Sequence, residues 1–307
     1  MSSEMRADWV SAGEARDTVL AAVRPLARER VPLLSALGRV LAEELVSPLD
    51  LPPWDNSAMD GFAVRAADVH GASAAGPREL EVIDDVPAGA FPSRPLRPGT
   101  ATRVMTGAPV PEGADTVIRV EHTDGGTMAG GVGRVRILSD QDAERNVRSR
   151  GEDLRTGERV LVPGTVLRPA EVGLAASLGR SQLSVVRRPV VGVLTSGDEL
   201  VDVDGFAEAL AGRKIVSSNT YTLAAQLAEA GAEPRLLGTA ADSPQSLREH
   251  LRGAQGCDAL ITSAGISVGE HDYVRDVLRE MELEVAFWRV RMRPGSPFAF
   301  GRIMRGL

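Results

Sequence analysis

The sequence predicts a multidomain α/β fold, and three observations support that prediction. The 307 residues suffice for about two domains of ordinary size. Short β-type runs separated by Gly- and Pro-rich turns fill residues 51–147, which is typical of a β-rich module. In residues 188–307, apolar strands alternate with helices. That alternation predicts a mainly parallel sheet with helices on both faces, a three-layer α/β/α arrangement.

Apolar residues recur at helical spacing in two N-terminal stretches, EARDTVLAAVRPLA and LLSALGRVLAEEL. The spacing predicts two helices within residues 13–47. A group of prolines, Pro48, Pro52 and Pro53, ends the pattern. The β-type runs that follow are GFAVRA, ELEVID, TATRVM, TVIRV and GRVRIL. The glycine-rich stretch 125–133 is interpreted as a hairpin tip, not a phosphate loop, because no helix start follows it.

Residues 148–187 predict a strand, a turn and a helix whose first residue is Pro169. Residues 1–50 and 148–187 would then form one discontinuous domain, with the β-rich module inserted into it. In the last part of the chain, SPQSLREHLRGAQG predicts a helix with Ser243 as N-cap and Pro244 at its first position. EVAFWRVRM is the expected fourth strand.

Composition excludes several classes of protein. The formal net charge is −7 and the sequence pI is about 5.3, which predicts no nucleic-acid partner. Lys214 is the chain's one lysine, and arginine supplies the other basic side chains. No apolar run of about 18 residues and no secretory signal are present, so we expect a cytoplasmic protein that does not span a membrane. The single Cys257 is expected to be a small buried residue.

In a doubly wound sheet, ligands bind beyond the carboxyl ends of the strands. Three of the predicted loops there carry an acidic residue, Glu199, Asp242 or Asp272. Beside a phosphate these carboxylates would repel it unless a hard cation such as Mg²⁺ lay between them. The sequence therefore predicts a magnesium and phosphate crevice, although each acid could instead be a helix N-cap.

The loop 263–272 is glycine-rich and leads into a helix. Its backbone N–H groups, around Ser263, Gly265, Ser267 and Gly269, could bind an anion, although a purely structural turn fits the pattern equally well. On the expected last strand, Arg289, Arg291 and Arg293 share one face. They predict a phosphate or oxyanion clamp, with a solvated sheet edge as the alternative.

Six motifs carry a resemblance to a known family: LPPWDNSAMDGFAVRAAD (51–68), RVMTGAPVPEGADTVIRVE (103–121), NVRSRGEDLRTGERVLVPGTVL (146–167), TSGDELV (195–201), SAGISVGEHDYV (263–274) and RMRPGSPFAFG (291–301). In this order they closely resemble the MoeA family, the molybdopterin molybdenumtransferases, whose eukaryotic relatives include the E domain of gephyrin. The resemblance covers nearly the whole chain.

The resemblance implies a cytoplasmic homodimer that inserts molybdate into adenylylated molybdopterin, depends on Mg²⁺ and releases AMP. Residues 188–307 would be the molybdopterin-binding domain, and 1–50 with 148–187 a linker and dimerisation domain. Asp60, Glu199, Asp242 and Asp272 would be the acidic catalytic residues, the last three also holding Mg²⁺. Thr106, Arg289 and Arg293 would bind substrate, together with the loop residues Ser263, Gly265, Ser267 and Gly269.

Structural alternatives apply to the residues added by the resemblance. Asp60 could only shape a turn, and Thr106 could cap that turn. For the neighbouring Asp55, Asn56 and Ser57, local hydrogen bonds that stabilise the crossover are favoured over catalysis.

The chain departs from the family pattern in several places. Arginine replaces lysine at 289 and 293, Ser296 replaces a lysine, and Ala264 replaces a glycine. The family's C-terminal β domain has no counterpart, from which we expect lower stability and weaker activity than in a full-length relative. Ser296, Ala264 and the missing C-terminal end favour an alternative function, a non-catalytic molybdopterin-binding or scaffold paralogue. An adenylyltransferase of the related one-domain type is disfavoured by the β-rich module.

Overall fold

The computed structural model describes residues 9–263 and 273–303. These residues form two compact units. One contains the described residues up to Glu43, Gly164–Val172 and those from Ser181 onward; the other contains Glu44–Pro163 and Gly173–Arg180. The mixture of parallel and antiparallel sheets confirms the multidomain α/β class. The three-domain division stays a prediction.

The described residues form the helices α1 (Ala12–Ala22), α2 (Ala66–Val69), α3 (Pro169–Ser177), α4 (Phe206–Leu210), α5 (Ser218–Glu229), α6 (Pro244–Leu251) and α7 (Tyr273–Glu280). They form the strands β1 (Arg28–Pro32), β2 (Leu45–Val46), β3 (Asn56–Ser57), β4 (Gly61–Val64), β5 (Arg78–Val86), β6 (Thr100–Val104), β7 (Thr116–Arg119), β8 (Thr127–Ala129), β9 (Val132–Ile137), β10 (Val147–Arg148), β11 (Arg159–Leu161), β12 (Gln182–Val186), β13 (Val190–Ser196), β14 (Leu200–Val201), β15 (Ile215–Val216), β16 (Glu233–Ala240), β17 (Ala259–Ser263), β18 (Leu283–Phe287) and β19 (Phe300–Ile303).

The first predicted helix is confirmed as α1. Its N-cap is Ser11, whose hydroxyl accepts a hydrogen bond from the Glu14 N–H at 3.2 Å. The Glu14 carboxylate accepts the Ser11 N–H in return at 2.6 Å. This reciprocal capping box satisfies two backbone donors that a helix start otherwise leaves unpaired.

The second predicted helix is wrong. After a short 3₁₀ turn at Leu33–Ala36, Gly38 adopts a φ of +73°, a left-handed conformation that ends helical winding. Leu41 then forms an antiparallel bridge with Val185 and is completely buried. The apolar residues of this stretch are therefore buried by extended pairing, which the helical spacing did not distinguish.

The predicted β-rich module is a six-stranded sheet of order β7-β4-β6-β5-β9-β8. Its core includes the fully buried Phe62, Val82 and Ile118. The predicted hairpin tip is confirmed, because β8 and β9 pair antiparallel on either side of Gly130 and Gly131. Both glycines have positive φ, 62° and 83°, as a two-residue hairpin turn requires.

In the other unit, β13 lies between β16 and β17, and both pairings are parallel. Pro169 begins α3 as predicted. The predicted cap of α6 is confirmed, since the Ser243 hydroxyl accepts the Ser246 N–H at 3.3 Å and Pro244 follows it. Cys257 is half-buried and not fully buried as expected.

The expected fourth parallel strand needs correction. β18 ends at Phe287 and pairs antiparallel with β19, so the arginines at 289, 291 and 293 lie beyond a regular strand. The apolar run EVAF matches the strand, whereas the alternation in WRVRM does not continue it. Among the described residues, the strand-like pairing of Val290 is limited to an isolated parallel bridge with Val10.

Candidate functional site

Three strand ends meet at one edge of the parallel sheet. The register pairs Ser196 of β13 with Ala240 of β16 and Thr195 of β13 with Ser263 of β17. Because parallel strands end at the same edge, the loops that carry Glu199 and Asp242 start there together. The predicted crevice residues Glu199, Asp242 and Ser263 therefore belong to neighbouring strand ends.

Two adjoining loops are held together by backbone-to-carboxylate hydrogen bonds. The Asp242 N–H donates to Asp198 Oδ1 at 3.1 Å, and the Asp198 N–H donates to Asp242 Oδ2 at 3.4 Å. The Gly197 N–H also donates to the Ala240 carbonyl at 3.1 Å. These bonds place two exposed carboxylates on adjacent strand ends and leave each with further oxygen lone pairs.

The side chain of Glu199 lies over the backbone of Gly197. A Cβ built on Gly197 would stand 2.7 Å from Glu199 Oε2, and Gly197 has a φ of +152°, so glycine suits this position sterically and conformationally. The Glu199 carbonyl accepts the Ile215 N–H at 2.8 Å, which fixes the loop backbone. Within the described part of the chain the exposed Glu199 carboxylate accepts no hydrogen bond. It is available to a ligand or a cation.

Sequence reasoning missed two polar residues at this edge. The chain's one lysine, Lys214, donates through Nζ to the Asp198 carbonyl, and its isolation in an arginine-rich sequence was the available signal. Asn219, on α5, donates to the Ser263 hydroxyl at 3.3 Å. A cation and an oriented hydroxyl therefore accompany the acids.

Several predicted residues fall in 264–272, outside the described residues: Gly265, Ser267, Gly269 and Asp272. Across 9–263 and 273–303, no three His, Cys, Asp or Glu side chains are grouped to hold a metal ion. The three-carboxylate magnesium site is therefore untested, with Glu199 and Asp242 as its described members.

In the other unit, the structure brings Asp60 and Thr106 into direct contact. Asp60 Oδ1 accepts both the Thr106 N–H and the Thr106 hydroxyl, each at 2.7 Å. These hydrogen bonds from Thr106, the backbone one first, hold the pKa of Asp60 below its ordinary value. Asp60 is thus an exposed carboxylate that stays ionised, and it holds the turn at Thr106.

The glycine after Asp60 has a steric requirement of its own. A Cβ on Gly61 would lie 2.0 Å from the Ile118 carbonyl oxygen, so only glycine allows β4 to approach β7 this closely. The favoured structural role of Asp55 and Ser57 is supported: Asp55 Oδ1 accepts the Arg150 N–H at 2.7 Å, and the Ser57 hydroxyl accepts the Met59 N–H at 3.2 Å. The buried Asn56 has an Oδ1 without a hydrogen-bond partner among the described residues.

The three arginines near the C-terminal end differ in their surroundings. The Arg289 guanidinium lies 5.4 Å from the centroid of the Trp9 ring. Arg291 pairs with the Glu14 carboxylate at 3.4 Å. Arg293 is exposed. The three arginines therefore do not form one face with equivalent surroundings.

Comparison with protein families decides the relationship. Residues 10–179 match the model of the MoeA N-terminal region, domains I and II. The chain belongs to the MoeA family. Residues 192–306 of this MoeA family chain also match the model of a probable molybdopterin-binding domain. The resemblance inferred from the six motifs is confirmed.

Curated relatives carry the name molybdopterin molybdenumtransferase. That of a Nostoc species is 42% identical over 270 residues, which cover 88% of this chain and 60% of the relative. Molybdopterin molybdenumtransferase 2 of Mycobacterium tuberculosis is 40% identical over 291 residues, covering 93% of this chain and 69% of the relative. The MoeA chain thus spans about 60% of the length of the Nostoc relative.

Solved structures agree. The molybdopterin biosynthesis moeA protein of Pyrococcus horikoshii OT3 has a TM-score of 0.78 and 32% identity, covering 96% of this chain and 72% of that one. A second crystal structure of a moeA protein from the same species gives a TM-score of 0.75 and 30% identity, covering 97% and 73%. No helix of the described residues is long and apolar enough to cross a membrane.

Proposed function

We propose that this MoeA family chain inserts molybdate into adenylylated molybdopterin and releases AMP. The observation that carries the proposal is the strand register, which brings the ends of β13, β16 and β17 to one edge. A substrate with phosphates, a dithiolene and an oxyanion needs positive charge around it, and a bound Mg²⁺ in turn needs carboxylate ligands. The loops at this edge supply them, from Glu199, Asp242 and Lys214.

Mg²⁺ is part of the proposal, and the donor set fits it. Mg²⁺ prefers oxygen ligands and is commonly held by one or two carboxylates together with substrate phosphates and water. Glu199 and Asp242 are exposed and keep free carboxylate oxygens, and Asp272 would add a third. When bound, Mg²⁺ would neutralise phosphate charge. The carboxylates themselves would orient the anionic groups and exclude wrongly placed ones by repulsion.

The protein's cations and hydroxyls would bind the substrate directly. Arg289 and Arg293 would hold anionic oxygens, for which the guanidinium fork is well shaped. The Ser263 hydroxyl, oriented by Asn219 at 3.3 Å, would donate to a further oxygen. The residues Gly265, Ser267 and Gly269 would offer backbone N–H groups. Asp60, kept ionised by Thr106, would be the acidic group of the β-rich unit, and Thr106 would contribute to substrate binding.

An AMP-release assay tests the proposal. The purified chain is mixed with adenylylated molybdopterin, molybdate and Mg²⁺, and AMP is quantified with each component left out in turn. We expect AMP only when all three are present. Substrate binding without AMP release would overturn the enzymatic proposal and support a non-catalytic binding protein.

That second candidate, a molybdopterin-binding or scaffold paralogue, is favoured by one position. Ser296 stands where the family pattern has a lysine. This half-buried serine offers only a hydroxyl group. Loss of this cation would weaken charge neutralisation more than it would weaken binding through the remaining arginines. The same assay separates the two candidates.

We also propose that the protein works as a homodimer in the cytoplasm. The cytoplasmic part rests on what the resemblance to the MoeA family implies. Sedimentation equilibrium of the full chain tests the homodimer. A single species at the monomer mass across concentrations would contradict it.

A further inference from the structure

We infer that Trp9 and Glu14 divide the roles of the three C-terminal arginines, so that Arg289 and Arg293 keep free charge for an anionic ligand while Arg291 is structural. In this account Trp9 is a positioning residue that acts through Arg289. The inference rests on the proposed function, because it assigns the anion-binding groups of that site.

The N-terminal segment fixes the backbone that carries two of these arginines. The Val10 N–H donates to the Arg289 carbonyl at 3.1 Å, and the Arg291 N–H donates to the Val10 carbonyl at 2.8 Å. This pair of bonds accompanies the parallel bridge between Val10 and Val290. Residues 289–291 therefore have a defined backbone although they lie beyond β18.

Side-chain packing supports the same attachment. Ala15 of α1 packs in one buried cluster with Phe287 and Val290. Three half-buried hydrophobic residues complete the cluster: Val10, Val19 and Phe300. Burial of apolar side chains contributes roughly 25 cal/mol per Å². The cluster therefore stabilises the contact between α1 and residues 287–290. Helix α1 thus packs against the segment that carries Arg289 and Arg291.

Arg289 and Arg291 have different electrostatic partners. Arg289 lies over the Trp9 ring at 5.4 Å, and an aromatic face orients a cation without neutralising its charge. Arg291 faces the carboxylate of Glu14 at 3.4 Å. Hydrogen bonds from Ser11, backbone first, together with Arg291 hold the pKa of Glu14 below its ordinary value. The Glu14 carboxylate is therefore charged at neutral pH and offsets Arg291.

Arg293 completes the division. It is exposed and makes no ion pair or hydrogen bond within residues 9–263 and 273–303. Among the described residues, Arg289 and Arg293 thus have no acidic partner, while Arg291 between them is paired with Glu14. A phosphate or other oxyanion would be bound by the outer two.

The test is AMP binding to the full chain, measured by isothermal titration calorimetry at several salt concentrations, with melting temperatures taken in parallel. Trp9→Ala is expected to weaken AMP binding about 3- to 10-fold, the effect of losing a cation–π contact. Trp9→Phe keeps an aromatic face and should restore most of the affinity. Leu20→Ala, on an exposed position of α1, is the matched control and should bind as the wild type does.

The arginine variants complete the experiment. Arg289→Ala and Arg293→Ala should each weaken binding and lower its salt dependence, whereas the double variant Glu14→Gln/Arg291→Ala, which removes both charges of the ion pair, should change neither by more than about twofold. Glu14→Gln retains the capping-box acceptor but frees the Arg291 charge, so it should strengthen AMP binding. Equal losses in Arg289→Ala, Arg293→Ala and the double variant would overturn the inference. So would Trp9→Ala binding AMP as tightly as Leu20→Ala.

Steady-state AMP release separates this inference from the proposed function. Trp9→Ala should raise KM for adenylylated molybdopterin with kcat within about twofold, because Trp9 positions a binding group and touches no reacting atom. If the wild type releases AMP and Trp9→Ala leaves KM unchanged, only the inference fails. If the wild type releases no AMP, the proposed function fails while the AMP-binding result still judges the arginines.

Discussion

Asp198 and Asp242 exchange hydrogen bonds between the ends of two neighbouring parallel strands. The Asp242 N–H donates to Asp198 Oδ1 at 3.1 Å and the Asp198 N–H donates to Asp242 Oδ2 at 3.4 Å. Each aspartate therefore uses its carboxylate to fix the backbone of the other. This contact holds the two acidic loops in register and gives the candidate site a defined edge.

Asp198→Ala is expected to destabilise the fold by about 0.5–1.5 kcal/mol, since it removes one acceptor of this exchange. Asp198→Asn keeps an acceptor oxygen and should cost less. Thermal unfolding of both variants checks the expectation. An Asp198→Ala protein that melts with the wild type would mean that the exchange does not hold the loops.

Thr106→Val removes the hydroxyl that donates to Asp60 and keeps the backbone N–H. The pKa of Asp60 should therefore rise toward its ordinary value. If Asp60 works ionised, the acid limb of the pH profile of AMP release moves to higher pH. Thr106→Ser retains the hydroxyl and should keep the wild-type profile. If the wild type, Thr106→Val and Thr106→Ser all give the same pH profile, the ionisation of Asp60 does not control AMP release.

Much of the fold followed from local chemistry. The caps at Ser11 and Ser243 and the glycine pair at 130–131 impose conformations that neighbouring residues alone determine. The helix predicted after Leu33 was wrong. The apolar spacing of this stretch suits a helix, but its burial comes from pairing with Val185, which lies more than a hundred residues away. Spacing within a segment does not report such distant pairing.

The sequence predicted the parts of the candidate site that depend on sheet topology. It did not predict the parts that depend on contacts between side chains distant in the chain. The rule for parallel strands placed Glu199 and Asp242 at one edge, because register follows from the strands themselves. The different roles of Arg289 and Arg291 depend on Trp9 and Glu14, which are nearly three hundred residues earlier in the chain. The pattern WRVRM alone made the arginines look equivalent.

Asp142 is nearly fully buried and makes hydrogen bonds with Arg119 and His122. Burial raises the pKa of Asp142, but the hydrogen bonds from Arg119 outweigh it and hold that pKa below the ordinary value of 3.8. The stabilisation is therefore present above pH 3.8 and is lost as the pH falls through the lower value of the folded protein. Asp142→Asn should cost about 1.5–3 kcal/mol at pH 7.

Melting temperatures of wild type and Asp142→Asn between pH 7 and pH 2 check this sign. The difference between the two proteins should shrink only at the acid end. Asp153→Asn, at an exposed position of the same unit, is the control and should track the wild type. A difference that grows as the pH falls would contradict the assignment.

Ser296→Lys restores a cation where the family pattern has lysine. The Ser296 carbonyl already accepts the Val290 N–H at 3.1 Å, a backbone bond that the substitution leaves in place. We expect KM for the anionic substrate to fall about 3- to 10-fold, the gain from one charge-assisted contact. Ser296→Ala should match the wild type. An unchanged KM in the lysine variant would mean that this position does not face the substrate.

We expect the carboxylates at the ends of the parallel strands to be essential for molybdate insertion. AMP release by Glu199→Gln tests it most directly, with Glu208→Gln as the control because Glu208 is an exposed glutamate on α4 of the same unit. Glu199→Gln should release AMP about 100-fold more slowly with an unchanged melting temperature, while Glu208→Gln keeps the wild-type rate. Equal rates in the two variants would contradict the claim.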